Sequence, residues 1–561
     1  KVHRKHPRSM CERYIALDVL EHVDTCEKVI RCFEPDSTRQ PANNEDLGHL
    51  THVYTVVLGG EWYNTPVTAG DIFHIVFLKP DDDKFDAVDL SQYTKVTDQE
   101  FLFIIHPDTL VTPSTLSESI SCSRRGVLNN KYRMRGTSRD AVLGNIKHEF
   151  IEKYTDLSIE FIKLLDSFDS TSIDENILTA EKIEEIIDQV KSKHLESMLI
   201  VNLSDQEVHG ILTSIVPKVT RWIFDFTADY LKACGSHKIR GMVKQVVYNK
   251  TDLHTGYNID ELSGIEENVW CPVLGVKGQV DLVVHARKAH EHSVENMPVE
   301  VKTGKWRPAT AISHRAQTIL YIIMILLRDK QRAKFPILQN LDAMSSGGNF
   351  QQTYHTGSKH GLLLYINDDG VRCEIVEPTW AEIRALIICR NRLASNLVHA
   401  AQVTAKPLPN MLKHSDCERC FSAAECFLSH ASIEGGDKKS SGVPLLFSYV
   451  NRGLSSNHFK YLKKWNFLLD LENLAMTNFD DCLWTSSGDA CERAMDKCIC
   501  NLYISGHDTH PDHSILIFRK QHNFSTDNTL MAGVNHDIKV VADRAKVGNS
   551  PMFHLLHDAV R

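Results

Sequence analysis

Glu300 and Lys302 stand one residue apart in the run Met297-Pro298-Val299-Glu300-Val301-Lys302. On a strand, positions i and i+2 share a face, so both charged heads would emerge side by side. The ordinary reading is an ion pair on a wet face, because charged side chains usually stay in water. A chemical reading needs further ligands. Upstream, Gly278-x-x-Asp281 opens a second apolar stretch, "VKGQVDLVV". Two carboxylates at neighbouring strand ends can converge on one hard cation. Mg²⁺ takes one or two protein carboxylates together with water and phosphate. An ion so held polarises a phosphoryl oxygen and acidifies an attacking water. Lys302 would then orient that water or neutralise charge developing on the phosphate.

Two helical segments could complete such a site. "LGNIKHEF" carries His148 and Glu149. Being adjacent on a helix, they face about 100° apart, so only one can aim squarely at the carboxylates. Gln317 and Tyr321 lie four residues apart on one helical face. A third set is made of thiols. Cys417-x-x-Cys420-x₅-Cys426 is a tight triplet, and Cys122 in "CSRRGVL" is a candidate fourth. Zinc and an iron–sulfur cluster both accept four thiolates, so spacing alone does not choose. Beside Cys122 runs a basic stretch: Arg124, Arg125, Lys131, Arg133, Arg135 and Arg139. It reads as a solvated basic helix or as a stripe for phosphates.

The elements that must position these groups follow from patterning. Residues 11–110 hold short β-branched and aromatic runs split by turn-formers, which predicts a small barrel or sandwich, an oligonucleotide-binding barrel among the candidates. From about 114 to 245 the pattern turns helical. A capping box is expected at Thr137-x-x-Asp140, followed by Val142, Ile146, Phe150 and Tyr154 every four residues. Residues 270–303 predict strands and 309–328 a helix. Two strands, "HGLLLYIN" and "GVRCEIVE", and a long helix from Trp380 come next. A polar linker follows residue 432, then the helical segment "HFKYLKKWNFLLDLENLAM" and short strands to the end.

Gly144-x-x-x-His148, Gly278-x-x-Asp281, Glu300-x-Lys302 and Gln317-x-x-x-Tyr321, in that order, resemble the motif series of the RecB-type nucleases of the PD-(D/E)XK superfamily. Cys122 before these motifs and the Cys417, Cys420 and Cys426 triplet after them resemble the iron–sulfur-bearing members. The resemblance covers roughly residues 50–480. It implies an α/β, restriction-endonuclease-like core, with Asp281, Glu300 and Lys302 catalytic. His148, Asp281 and Glu300 would bind Mg²⁺ or Mn²⁺, and His148 is favoured over Glu149. Gln317, Tyr321, Arg124 and Arg125 would support the site or contact DNA. A [4Fe-4S] cluster is implied on Cys122, Cys417, Cys420 and Cys426. Cys482, Cys491, Cys498 and Cys500 are read as ordinary thiols.

The resemblance divides the chain into a β-rich, oligonucleotide-binding-like domain (1–112), a nuclease domain (113–432) and a linker, helical stalk and partial β-barrel (433–561). It further implies action on single-stranded or flapped DNA in Okazaki fragment processing and end resection. A single-strand-binding protein is the implied partner, and the nucleus, with mitochondria second, the implied place. A helicase would follow the nuclease in the full enzyme. No Gly-x-x-x-x-Gly-Lys-Ser/Thr loop occurs in these residues, so no ATPase is expected of them. The rival expectations are a catalytically silent single-strand-binding module and a zinc-stapled scaffold.

Bulk composition agrees with a multidomain globular chain. Its 561 residues exceed one core, and 42% hydrophobic with 24% charged residues is ordinary. The net charge of −9 argues only weakly against nucleic acid, since a local stripe suffices. Fifteen cysteines fit reduced thiols or metal ligands rather than a disulfide framework. The longest apolar run, near 319–327, is too short to span a bilayer, so no membrane is expected.

Overall fold

The computed structural model describes residues 11–34, 53–77, 93–96, 101–132, 138–167, 180–226, 257–288, 293–334, 356–367, 370–400, 408–411, 417–418, 420–477, 502–510 and 513–520. Two mixed sheets and ten α-helices make up most of these residues.

The first sheet is a half-barrel of β1 (Cys11–His22), β2 (Glu27–Phe33), β3 (Tyr54–Leu58), β4 (Ile72–Phe77), β5 (Tyr93–Val96) and β6 (Phe101–Ile105). Its order is β5-β3-β2-β1-β4-β6, antiparallel except for β3 with β5. The expected small β-domain is present, as one six-stranded sheet among the described residues. Alternation explains it: Tyr14, Ile30, Phe73, Ile75 and Phe103 are buried on its inner face.

A helical layer follows: α1 (Pro113–Ser121), α2 (Ser123–Tyr132), α3 (Arg139–Ser167), α4 (Ala180–Ile200) and α5 (Asp205–Phe226). Thr112 caps α1, its hydroxyl accepting the Thr115 N–H, with Pro113 at the first turn. The expected cap of α3 shifts by one residue: Ser138 Oγ accepts the Ala141 N–H, while Thr137 lies outside the described residues. The apolar repeat Ile146, Phe150 and Tyr154 is buried as predicted.

The second sheet has the order β12-β11-β9-β8-β7, with β10 (Thr356–Gly357) beside β9. Its strands are β7 (Tyr257–Cys271), β8 (Val276–Lys288), β9 (Val294–Lys302), β11 (Gly361–Asn367) and β12 (Gly370–Val376). Helix α6 (Pro308–Lys334) crosses between β9 and β11, and these two strands run parallel. One face packs with α3, α4 and α5; the other packs with α6, α7 (Trp380–Ala400) and the half-barrel. The segment Thr310–Lys330 is long and apolar enough to cross a bilayer by length and composition, but it is mostly buried, as in the core helix of a globular domain.

Strand β7 is a departure from expectation. Its sequence, "YNIDELSGIEENVWC", hides the period-2 pattern because two register shifts, at Ile259/Glu261 and Leu262/Gly264, interrupt the alternation.

A boundary was expected at residue 112, yet one continuous core spans it, from Tyr14 and Phe103 through Val276 and Leu320 to Ile387. Arg390 of α7 ties the parts together. It is fully buried and donates to the carbonyls of Ile105, His106, Thr109 and Gly275. The neighbouring Asn391 side chain closes on Phe103 O and the Ile105 N–H. Gly275 is required here: its φ is +64°, and a Cβ would lie 2.1 Å from the Arg390 guanidinium. Replacing Arg390 by Met is expected to leave these carbonyls unpaired and to lower stability by about 3 kcal/mol, read as a fall in thermal midpoint. An unchanged midpoint would remove Arg390 as the link.

The linker expected after residue 432 is instead ordered. Asp437 accepts the N–H groups of Lys439 and Ser440, and Ser441 is fully buried. It joins α8 (Ala423–Ser432) to α9 (Pro444–Val450), and α10 (Ser456–Thr477) then forms the expected helix. Beyond it, the described residues form one antiparallel pair, β13 (Leu502–His510) and β14 (His513–Lys520). Cys482, Cys491, Cys498, Cys500, Arg133 and Arg135 lie outside the described residues.

Candidate active site and thiol cavity

The carboxylates meet at a fork in the second sheet. β8 and β9 pair from Arg287 with Val294 up to Leu282 with Val299. Beyond that point β9 pairs with β11, Glu300 opposite Leu363 and Lys302 opposite Tyr365. Asp281 spans the opening: its Oδ2 accepts the Val301 N–H at 2.7 Å. Gly278 is needed just upstream, because a Cβ there would come 2.8 Å from the Tyr321 ring and 3.0 Å from Pro113. Gly144 carries no such demand, the nearest atom being 3.7 Å away.

Burial decides against a wet-face ion pair. Glu300 is 1% exposed. Lys302 Nζ donates to Glu300 Oε1 and to Gln317 Oε1 at 3.1 Å, and Gln317 Nε2 donates to the Tyr321 hydroxyl at 3.4 Å. Gln317 and Tyr321 are thus buried beneath the Glu–Lys pair, as supports for it. Glu300 Oε2 is buried with no hydrogen-bond partner.

From the opposite layer, α3 brings His148, whose Nδ1 lies 3.9 Å from Asp281 Oδ2. Glu149 points elsewhere, bonded to His194 and Lys193 at 2.9 Å each. One turn beyond His148 stands Glu152, which the sequence reading missed. Ligand atoms of His148, Glu152 and Asp281 all lie within 4.8 Å of one another. The i, i+4 spacing of His148 and Glu152 was the available signal. His314 of α6 was missed too; it bonds the Tyr365 hydroxyl at 2.9 Å.

The electrostatics suit a cation. Burial raises the Asp281 carboxyl, against the pull of Lys302 and the Val301 N–H. Glu300 is raised by burial and by the Asp281 charge. Glu152 is pushed up to about 9 by burial, with Glu266 and Asp281 adding to it. His148 falls to about 4 through burial and the nearby Lys302 charge, leaving a neutral imidazole able to ligate. Burial alone would depress Lys302, but Glu300 and Asp281 outweigh it and hold the amine charged. Crowded buried carboxylates that would rather bind a proton are well matched to a divalent ion.

The thiols meet in a second place. Cys122, at the C-cap of α1, lines one cavity with Cys417, Cys420 and Cys426. Cys417 and Cys420 form a turn closed by the Cys420 N–H on Cys417 O, and Cys426 sits on α8. The donor set fits a four-thiolate metal centre. Arg124 and Arg125, expected to support the site or contact DNA, line this cavity. Arg124 is 2% exposed and occupied by Cys426 and Glu434; Arg125 bonds Glu118 O and Ser121 and lies over the Phe421 ring.

The family model for DNA replication factor Dna2 matches residues 49–286. The chain is similar to several proteins named DNA replication ATP-dependent helicase/nuclease. It is 28% identical to the protein JHS1 of Arabidopsis thaliana, covering 75% of this chain and 27% of that one. Against the DNA2 proteins of Gallus gallus and Homo sapiens it is 26% and 25% identical, covering 74% and 80% of this chain but 37% and 38% of theirs. The chain therefore spans well under half the length of these relatives.

Proposed function

We propose that this chain is the nuclease part of a replication helicase/nuclease and hydrolyses phosphodiester bonds in single-stranded or flapped DNA. The observation that carries this reading is the convergence of His148, Asp281, Glu300 and Lys302 on one fork between β8 and β9. The element order α3, β7, β8, β9, α6, β11 supports a restriction-endonuclease-like core. Asp281, Glu300 and His148, with Glu152 beside them, would hold Mg²⁺ or Mn²⁺. That ion would supply Lewis-acid polarisation of the scissile phosphate and a more acidic attacking water. Lys302, fixed by Glu300 and Gln317, contributes a preorganised positive charge for a phosphoryl oxygen. Tyr321 and Gln317 keep that amine from swinging away.

The four thiols would hold a [4Fe-4S] cluster whose part is structural, fastening α1 to α8. The half-barrel would bind the single strand. A single-strand-binding protein is the expected partner, and the nucleus, with mitochondria second, the expected place of action.

The test is cleavage of end-labelled single-stranded, flapped and duplex DNA by the purified chain in Mg²⁺. The reading expects cleavage of the first two. His148→Ala should lower it about 10–100-fold, while Glu149→Ala should change it less than about threefold. Equal losses in both variants would remove the choice of His148 over Glu149, and no cleavage by the native chain in Mg²⁺ or Mn²⁺ would favour a silent binding module.

A further inference from the structure

Arg124 is built into the wall of the thiol cavity. Its Nε donates to Cys426 Sγ at 3.1 Å. Its two terminal nitrogens grip Glu434 at 2.7 and 2.9 Å, and reach Pro409 O at 3.1 Å and Cys426 O at 3.4 Å. Glu434 is itself fixed by His430 Nδ1 at 2.7 Å, and His430 Nε2 meets Ser440 Oγ at 2.9 Å. Gly436 lets the backbone pass close to His430, since a Cβ there would fall 2.1 Å from its ring. A polar chain therefore runs from one sulfur to the ordered turn at residues 437–441. A lysine could not reproduce it, because the fork-shaped guanidinium serves a carboxylate and a sulfur at once.

We propose that Arg124 is a positioning residue for the cluster: it holds Cys426 as a ligand and biases the bound cluster toward its reduced form. This rests on the cluster reading above. Hydrogen bonds to ligand sulfurs and nearby charge are among the levers that set cluster potentials. Adding an electron makes the cluster more negative. An N–H donor 3.1 Å from one sulfur, on a guanidinium whose charge Glu434 shares, stabilises that state more than the oxidised one. The same bond keeps the Cys426 thiolate from leaving its iron.

The experiment uses the chain purified without oxygen, its brown colour followed by absorbance. Iron loss to EDTA is timed, and the reduction midpoint is measured by titration with dithionite, which supplies the electron. Arg124→Gln should lose iron about tenfold faster than the native chain and should need a more reducing potential. Arg124→Lys, which keeps the charge but not the fork, should fall between. Should Arg124→Gln not fold, Glu434→Gln decides, because it keeps Arg124 and removes its anchor; iron loss should then be several-fold faster. Native rates and midpoints in folded Arg124→Gln, or native rates in Glu434→Gln when that variant decides, overturn the proposal. A colourless native chain carrying zinc overturns the cluster reading itself, a separate result.

Discussion

Replacing Glu300 by Gln, or Lys302 by Ala, lowers DNA cleavage about 10²–10³-fold while affinity for single-stranded DNA stays within about twofold. The separation follows from where the groups sit. Affinity for a polyanion is spread over many phosphate contacts, so one buried pair contributes little to it. Transition-state charge is met by few groups, and here one of them is Lys302, locked by Glu300 and Gln317. Glu300→Gln is the sharper variant because it keeps the shape of a side chain that is 1% exposed. Thermal unfolding run beside the cleavage assay distinguishes a lost charge from a lost fold. Native cleavage by Glu300→Gln in Mg²⁺ would remove the proposed site.

The second large effect is on folding. Cys122→Ser or Cys417→Ser should lower iron content, thermal stability and DNA binding together. The two residues lie 295 positions apart and line one cavity. Cross-linking a loop of that length removes unfolded-state entropy on the order of 5 kcal/mol in a simple chain model, and metal binding of this kind is coupled to folding. Cys389→Ser is the proper control, being only partly buried and away from the cavity. Cys271 is fully buried, so replacing it would cost packing for an unrelated reason. A Cys122→Ser variant with native iron and native melting would refute the shared centre.

Much of this site was legible because its residues keep short, fixed spacings. Glu300 with Lys302, Gln317 with Tyr321, and Cys417 with Cys420 are each set by the period of one element. Glu152 escaped although it follows the same rule as Gln317 and Tyr321, because a glutamate on a long helix ordinarily faces water. The resemblance favoured His148 over Glu149, but local pattern could not say where Glu149 goes; the position of α4, which supplies Lys193 and His194, shows it. Arg124 was read as supporting the site or contacting DNA, and the sequence could not choose. Its neighbours in sequence are basic, but its partners, Cys426 and Glu434, lie some 300 residues away, beyond the reach of local pattern. β7 was hidden by its bulges, and the turn at 434–443 by a composition that mimics a linker.

The grip of Arg390 on the last strand of the half-barrel has a consequence for synthesis. Arg390 follows Ile105 by 285 residues. At ordinary translation speeds of about 5–20 residues per second, β6 leaves the ribosome roughly 15–60 s before the side chain that caps its final carbonyls exists. During that interval the half-barrel's apolar face at β6, later covered by α7, is open to the surrounding solution. The N-terminal sheet is thus made first and secured last. Nascent chains halted between residues 112 and 390 should be the ones that recruit chaperones or aggregate.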